Sequence, residues 1–333
     1  MLRMTGLPLS RRSFAAACAV SAATSFAGKA WADPLRDTEV LAAPTTASII
    51  LARLIDSGAL ASVFPNAGFG LWHDPDELRA AIVSKRVRLF TSPTHVPANL
   101  ANRGMPLKLV SILGMGHLAI VTSDRSISRF ADLAGKKVLG FFRRDMPDLV
   151  FRAVAKMEGL DPDKDIQISY VGTPMEAAQM IAAGRAETAI LSEPSASAAI
   201  MMAAGQGREL VRAINLQDIW MKHHGGMGIP MVGLCVHASV LDEAPDLLPL
   251  LRENLPRAKD WVLANMDAAA ALAERAMHLK PPIFRASLDH APLVVLPAKA
   301  ARPSLEVFYR AILELSPDTL AGRLPADDFY LDT

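Results

Sequence analysis

The chain has 333 residues, 35 Lys and Arg against 34 Asp and Glu, so it is long enough for two lobes and carries no basic excess for nucleic acid. Its two cysteines, Cys18 and Cys235, are too few for a disulfide framework.

At the amino end, Ser10-Arg11-Arg12-Ser13-Phe14 precedes an apolar run over about 15–27 and then Ala30-Trp31-Ala32. A charged start, a short apolar middle and a small-x-small site predict an export signal of twin-arginine type, cleaved after Ala32. The run is shorter than the about 20 apolar residues that span a bilayer, and no later stretch is long enough. Cleavage would leave 301 residues. The leader carries four of the bases and no acids, so 31 bases would face 34 acids, a balance of −3. That balance argues against nucleic acid or an anionic membrane surface as partner, and predicts no direct membrane insertion. Only Cys235 would survive, so no internal disulfide is expected despite an oxidising destination.

Residues 40–43 read as a first strand ending at Pro44-Thr45-Thr46, with Thr45 or Thr46 capping a helix that stops at Gly58. Residues 69–73 read as strand, and Asp74-Pro75-Asp76-Glu77 opens a helix. A strand over 87–90 ends in the polar tip Thr91-Ser92-Pro93-Thr94-His95, followed by a helix to about Asn102. Strands over 107–113 and 117–122 flank a flexible Gly114-Met115-Gly116. Alternation of strand and helix predicts an α/β lobe with a largely parallel sheet.

The rhythm then restarts. A buried strand over 137–142 feeds the stretch Phe142-Arg143-Arg144-Asp145-Met146-Pro147-Asp148 and an apolar-faced helix that stops at Gly159. Its cap is Asp145 or, because Pro147 biases its predecessor away from helical angles, Met146. Arg143 and Arg144 sit at the positive end of the helix dipole and need a negative partner, either Asp145 and Asp148 or a bound anion. Further strands are read over 166–171, 188–191 and 209–213. Thr173-Pro174-Met175-Glu176 forms a capping box, and Ser192-Glu193-Pro194-Ser195 follows the second of these strands. His223-His224-Gly225-Gly226 reads as loop, 232–237 as a strand leading back to the first lobe, and the remainder as mainly helical. One helix over 245–264 is expected to kink at Pro256, another to be capped by Asp267, and a last one to span 304–315.

Three motifs in this order carry a resemblance: Phe130-Ala131-Asp132-Leu133-Ala134-Gly135-Lys136-Lys137-Val138, then Gly184-Arg185-Ala186-Glu187-Thr188-Ala189 with Glu193-Pro194, then Leu324-Pro325-Ala326-Asp327-Asp328-Phe329-Tyr330. The chain resembles periplasmic substrate-binding proteins of ABC importers, of the nitrate/sulfonate/taurine and thiamine-pyrimidine-precursor type. The resemblance implies a type II α/β architecture. Each lobe would hold a mixed, mostly parallel sheet flanked by helices, with two crossover strands and C-terminal helices on lobe one. Residues 33–122 would begin lobe one, 123–237 form lobe two, and 238–333 complete lobe one.

It also implies a ligand in the cleft at the carboxyl ends of the strands, which agrees with the rule for open α/β sheets. The candidate lining is Thr45 and Thr46; Thr91, Ser92, Thr94 and His95; Met115; Phe142, Arg143 and Arg144; Thr173; Ser192 and Glu193. Hydroxyls and helix N–H groups suit an acceptor-rich head group, while Phe142 and Met115 pack its apolar part. Competing roles exist: the threonines as caps, Glu193-Pro194 as a turn device, and Trp72 and Trp220 as core or rim. His73, His95, His117, His223, His224 and His237 show no i, i+4 pair and no cysteine cluster, so neither metal nor cofactor is expected. Ser92 and Ser195 lack a nucleophile-elbow setting, and no paired carboxylates stand out, so no catalytic residue is assigned. The implied function is capture of a small organic ligand, anionic or heterocyclic, by hinge closure, with delivery to an ABC permease in the periplasm. The alternatives are a ligand-sensing partner of a receptor and an exported enzyme on the same fold.

Overall fold

A computed structural model describes Leu35 and residues 38–332; the expected twin-arginine leader lies outside the described residues. The first sheet begins with β1 (Glu39–Ala42), β2 (Gly68–Leu71) and β3 (Val87–Pro93), interleaved with α1 (Ile49–Asp56) and α2 (Pro75–Val83). After α3 (His95–Asn102) come β4 (Leu107–Met115) and then a second sheet. That sheet contains β5 (Leu118–Thr122), β6 (Lys137–Phe141), β7 (Gln167–Val171), β8 (Thr188–Ser192) and β9 (Val211–Asn215). Its helices are α4 (Met146–Met157), α5 (Pro174–Ala182), α6 (Ser195–Ala204) and α7 (Leu216–His223). β10 (Pro230–His237) returns to the first sheet. It is followed by α8 (Ala238–Glu243), α9 (Leu247–Ala264), α10 (Met266–Met277), α11 (Pro281–Leu288), β11 (Leu293–Pro297) and α12 (Ala298–Leu315).

The strand orders are β11-β4-β10-β3-β1-β2 and β7-β6-β8-β5-β9. Both sheets are mixed, as expected, but the share of parallel pairing is smaller than expected. Four of the nine pairings are parallel, because the crossing strands β5 and β10 and the edge strand β11 run against their neighbours. The crossings also lie elsewhere than the motifs implied. β5 already pairs with β8 and β9, so the chain leaves the first sheet at Gly116-His117, and it returns over residues 224–229 into β10.

Long-range pairing explains the other differences. Thr91 and Ser92, expected in a polar tip, continue β3 because β10 pairs with them, Leu234 opposite Thr91 and Gly233 opposite Ser92. Gly114 and Met115 extend β4 for the same reason, opposite Val232 and Pro230. β9 sits two residues beyond its expected place, and α7, α11 and β11 carry no strong local signal.

Local chemistry was decisive at helix starts. Asp74 accepts the Asp76 and Glu77 N–H groups at 2.9 Å each and caps α2, with Pro75 as its first residue. Asp145 caps α4, and Leu160 N–H closes the other end on the Ala155 carbonyl at 2.9 Å across Gly159, whose φ is 79°. Asp267, in contrast, lies inside α10 and pairs with Arg285, because the helix begins one residue earlier at Met266. Pro256 sits within one continuous helix, α9.

Candidate functional site

A cleft of about 450 Å³ lies between the two sheets. The parallel strands bring their carboxyl ends to it: Ala43, Pro44 and Thr45 after β1, Trp72 after β2, Phe141 and Phe142 at the end of β6, and Ser192 closing β8. The antiparallel crossings bring their amino ends, His117 and Leu118 before and in β5, Met231 and Val232 in β10. Both routes lead to one place, and with Pro93 at the end of β3 the cleft draws residues from seven strands.

The lining is mostly apolar. The Trp72 indole N–H donates to the Thr91 carbonyl at 3.1 Å, which fixes the ring. Phe142 packs on it at 6.1 Å between centroids and on Phe141 at 5.2 Å. Phe142 holds a φ of 49°, a left-handed backbone that a bulky residue adopts at a cost of order 1–3 kcal/mol and that the surrounding turn must enforce. The Asp145 N–H donates to the Phe142 carbonyl at 2.9 Å and closes that turn.

Few polar groups face this space. Thr45 Oγ1 is buried and has no hydrogen-bond partner. It does not cap the following turn, so the expected cap role fails and its hydroxyl is free. Burial pushes the His117 imidazolium down to about 4, against the support of the Met115 carbonyl 3.2 Å from Nδ1. Neutral His117 with Nδ1–H on that carbonyl leaves Nε2 as an acceptor (a tautomer assigned from this contact).

The charge in the cleft is negative. Asp145 is 3% exposed. Burial alone would raise its pKa, but His95, Arg79 and the Met146 N–H together hold the carboxyl well below its usual range. Arg79 Nη2 lies 2.6 Å from Oδ2, His95 Nε2 lies 3.4 Å from Oδ1, and the Met146 N–H donates to Oδ1 at 2.8 Å. Asp145 thus brings a carboxylate to the cleft at the α4 amino end, where an anion in the cleft would meet repulsion.

The expected site residues divide accordingly. Thr45, Phe142 and Ser192 reach the cleft. Thr46 donates to Ser287 Oγ at 2.9 Å, Thr91 Oγ1 accepts the Ala43 N–H at 2.8 Å, and Thr94 donates to the Pro230 carbonyl at 2.8 Å. These hydroxyls join buried elements and none lines the cleft. Ser92 lies 3.8 Å from the Cys235 sulfur, whose thiol burial pushes up to about 12. Thr173 caps α5 by accepting the Glu176 N–H at 3.1 Å and borders a separate opening beside Trp72 and Met277. Met115 lies beside Gly228, within reach of any side chain placed there. Glu193 is buried and saturated, with Arg212 Nε and Nη2 at 2.9 and 2.7 Å on Oε1 and the Ser197 hydroxyl at 2.7 Å on Oε2. Arg144 and His95 line a different groove, and Arg143 lines both that groove and an opening it shares with Phe142 and Asp145.

Sequence reasoning missed His117, Asp145 and Met231 as lining residues, and weighed Trp72 as core or rim against stacking on a ring. His117 and Met231 escaped because the carboxyl-end rule overlooks strands that enter the cleft backwards. Asp145 was legible as a cap, but its partners come from helices 50 to 66 residues away. Among the described residues no group of three or more His, Cys, Asp or Glu side chains is placed to hold a metal, and no helix is long and apolar enough to cross a membrane.

Two mixed sheets crossed twice by the chain, with a cleft at their strand ends, define the type II periplasmic-binding-protein fold. An ABC transporter protein of Parabacteroides distasonis shares it at a TM-score of 0.74 and 19% identity, over 89% of this chain and 99% of that one. The periplasmic aliphatic sulphonate binding protein SsuA of Escherichia coli follows at 0.65 and 17%, over 88% and 99%. The periplasmic nitrate-binding protein NrtA of Synechocystis PCC 6803 matches at 0.63 and 15%, over 86% and 84%. Residues 97–277 match the NMT1-like family, and the chain belongs to that family. No curated protein sequence matches it.

Proposed function

We propose that this chain is the solute-binding component of an ABC importer, exported to the periplasm, and that it captures a small, flat, largely apolar molecule rather than an anion. The observation that carries the ligand reading is the pairing of Trp72 and Phe142 over a cleft whose sole ionised lining group is the Asp145 carboxylate. An aromatic heterocycle can stack against this pair of rings. Its N–H or amino groups can reach Asp145 or the His117 acceptor, and its ring nitrogen can take the Thr45 hydroxyl. Relatives of this fold are named for sulphonate and nitrate, but the anionic half of the expected ligand class finds no cation lining this cleft. Binding proteins among the neighbours and the absence of paired catalytic groups in the cleft support a binder over an enzyme.

Native mass spectrometry of protein purified from its own periplasm tests both parts. The expected result is a co-purified neutral or cationic heterocycle, lost on denaturation, whose re-addition raises the melting temperature. Recovery of a sulfonate or nitrate bound in the cleft would overturn the ligand class.

A further inference from the structure

A second, open groove of about 1540 Å³ runs between α3, α4 and the chain that follows α12. Its carboxylates are almost all committed. Asp148 accepts from Arg152 Nε and the Tyr170 hydroxyl on Oδ1, and from the Arg144 N–H on Oδ2, each at 2.7 Å. Asp163 accepts from Arg152 Nη1 at 2.8 Å. Arg79 is spent on Asp145 and Asp76. The guanidinium groups of Arg143 and Arg144 and the Lys156 ammonium have no carboxylate within ion-pair distance among the described residues. Arg143 lies 5.6 Å from the Tyr170 ring instead. The compensation expected from Asp145 and Asp148 therefore does not occur.

Arg143, Arg144 and Lys156 face Asp318, and the one charge of Arg152 is shared by Asp148 and Asp163, which leaves a surplus of one positive charge. On the groove wall His95 is 1% exposed, and its Nδ1 has no hydrogen-bond partner. A buried imidazole nitrogen left without a partner is unfavourable, so a ligand that satisfies it is favoured. Two planar guanidinium forks and an ammonium offer more donors than one carboxylate can take, and they suit the several oxygens of a phosphate.

We propose that this groove binds a phosphate or pyrophosphate group, at a place separate from the central cleft. Arg143 and Arg144 grip the oxygens, Lys156 adds charge, and the His95 side chain contacts the innermost oxygen. Because α3 leads out of the first sheet and α4 out of the second, the bound anion ties the two halves together.

Calorimetric titration with inorganic pyrophosphate at low ionic strength tests this. Saturable one-to-one binding is expected, weakening as salt rises. Arg143→Ala and Arg144→Ala should each weaken it by about tenfold or more, the loss of a charge-assisted contact. Arg257→Ala, which removes an exposed cation on α9 paired with Glu253, should leave it unchanged. All three side chains are exposed, so folding should survive, and thermal melts check that. Absence of saturable binding overturns the proposal. So does binding that the Arg143→Ala/Arg144→Ala double variant retains, or a loss in Arg257→Ala as large as in the other two. None of these outcomes bears on the occupant of the central cleft.

Discussion

Asp145 has three tasks at once. It ends the strained Phe142–Arg144 turn, caps α4, and carries the carboxylate that meets Arg79 of α2 and His95 of α3. Removing its charge while keeping its shape isolates the last task. Asp145→Asn should destabilise the protein by about 1–3 kcal/mol, the lower part of the range for a broken buried pair because Arg79 is 37% exposed and can be rehydrated. The carboxyl is held below the about 3.9 of an unfolded aspartate, so its contribution is complete above that value and fades as pH falls through it. The melting-temperature gap between parent and variant should therefore shrink between pH 7 and pH 3. An equal gap at both values would mean that the charge contributes nothing.

The β3–β10–β4 arrangement depends on close approach of backbones. A Cβ on Gly114 would stand 2.9 Å from Ala47 Cβ and 3.2 Å from Val232 Cγ2, and one on Gly233 would stand 2.6 Å from Leu109 Cδ1. Leu109 can swing its side-chain end aside, but Ala47 has only its Cβ, so Gly114 is the stricter position. Gly114→Ala should cost about 1–3 kcal/mol by overpacking. Gly58, past the end of α1 with φ 71°, has nothing within 4 Å. Gly58→Ala meets only the backbone cost of a left-handed turn, about 1 kcal/mol. Urea denaturation of both variants checks the order, and a Gly114→Ala protein as stable as the parent would show that β4 has room to move.

Ligand capture should work by closure of the two sheets about the crossings at Gly116-His117 and residues 224–229. Arg79 to Asp145 and Trp72 to Phe142 each join an element of one sheet to an element of the other, so closure is expected to make them and opening to break them. At a ligand concentration a hundred times the dissociation constant, stabilisation should reach about 2.7 kcal/mol. Small-angle scattering should then show a smaller radius than for the ligand-free protein, and Asp145→Asn should enlarge the ligand-free radius further. Tight binding with an unchanged radius in both proteins would rule out hinge closure.

What the sequence determined by itself was local. Period and capping marked most helices and strands, the Asp145 cap and the Gly159 stop among them, because those depend on neighbours within about five residues. The order of motifs also pointed to a two-sheet binding fold. Only the tertiary structure decided which side chains face the ligand. Thr91 and Glu193 look like cleft residues in the chain, yet distant partners, Ala43 and Arg212, consume their hydrogen bonds. His117 and Trp72 become lining residues only when antiparallel crossings and packing bring them there. Arg143 and Arg144 were legible as uncompensated charge, but their direction was not. One left-handed residue at each of positions 142 and 144 turns the chain, and that turn is held by contacts the sequence does not place.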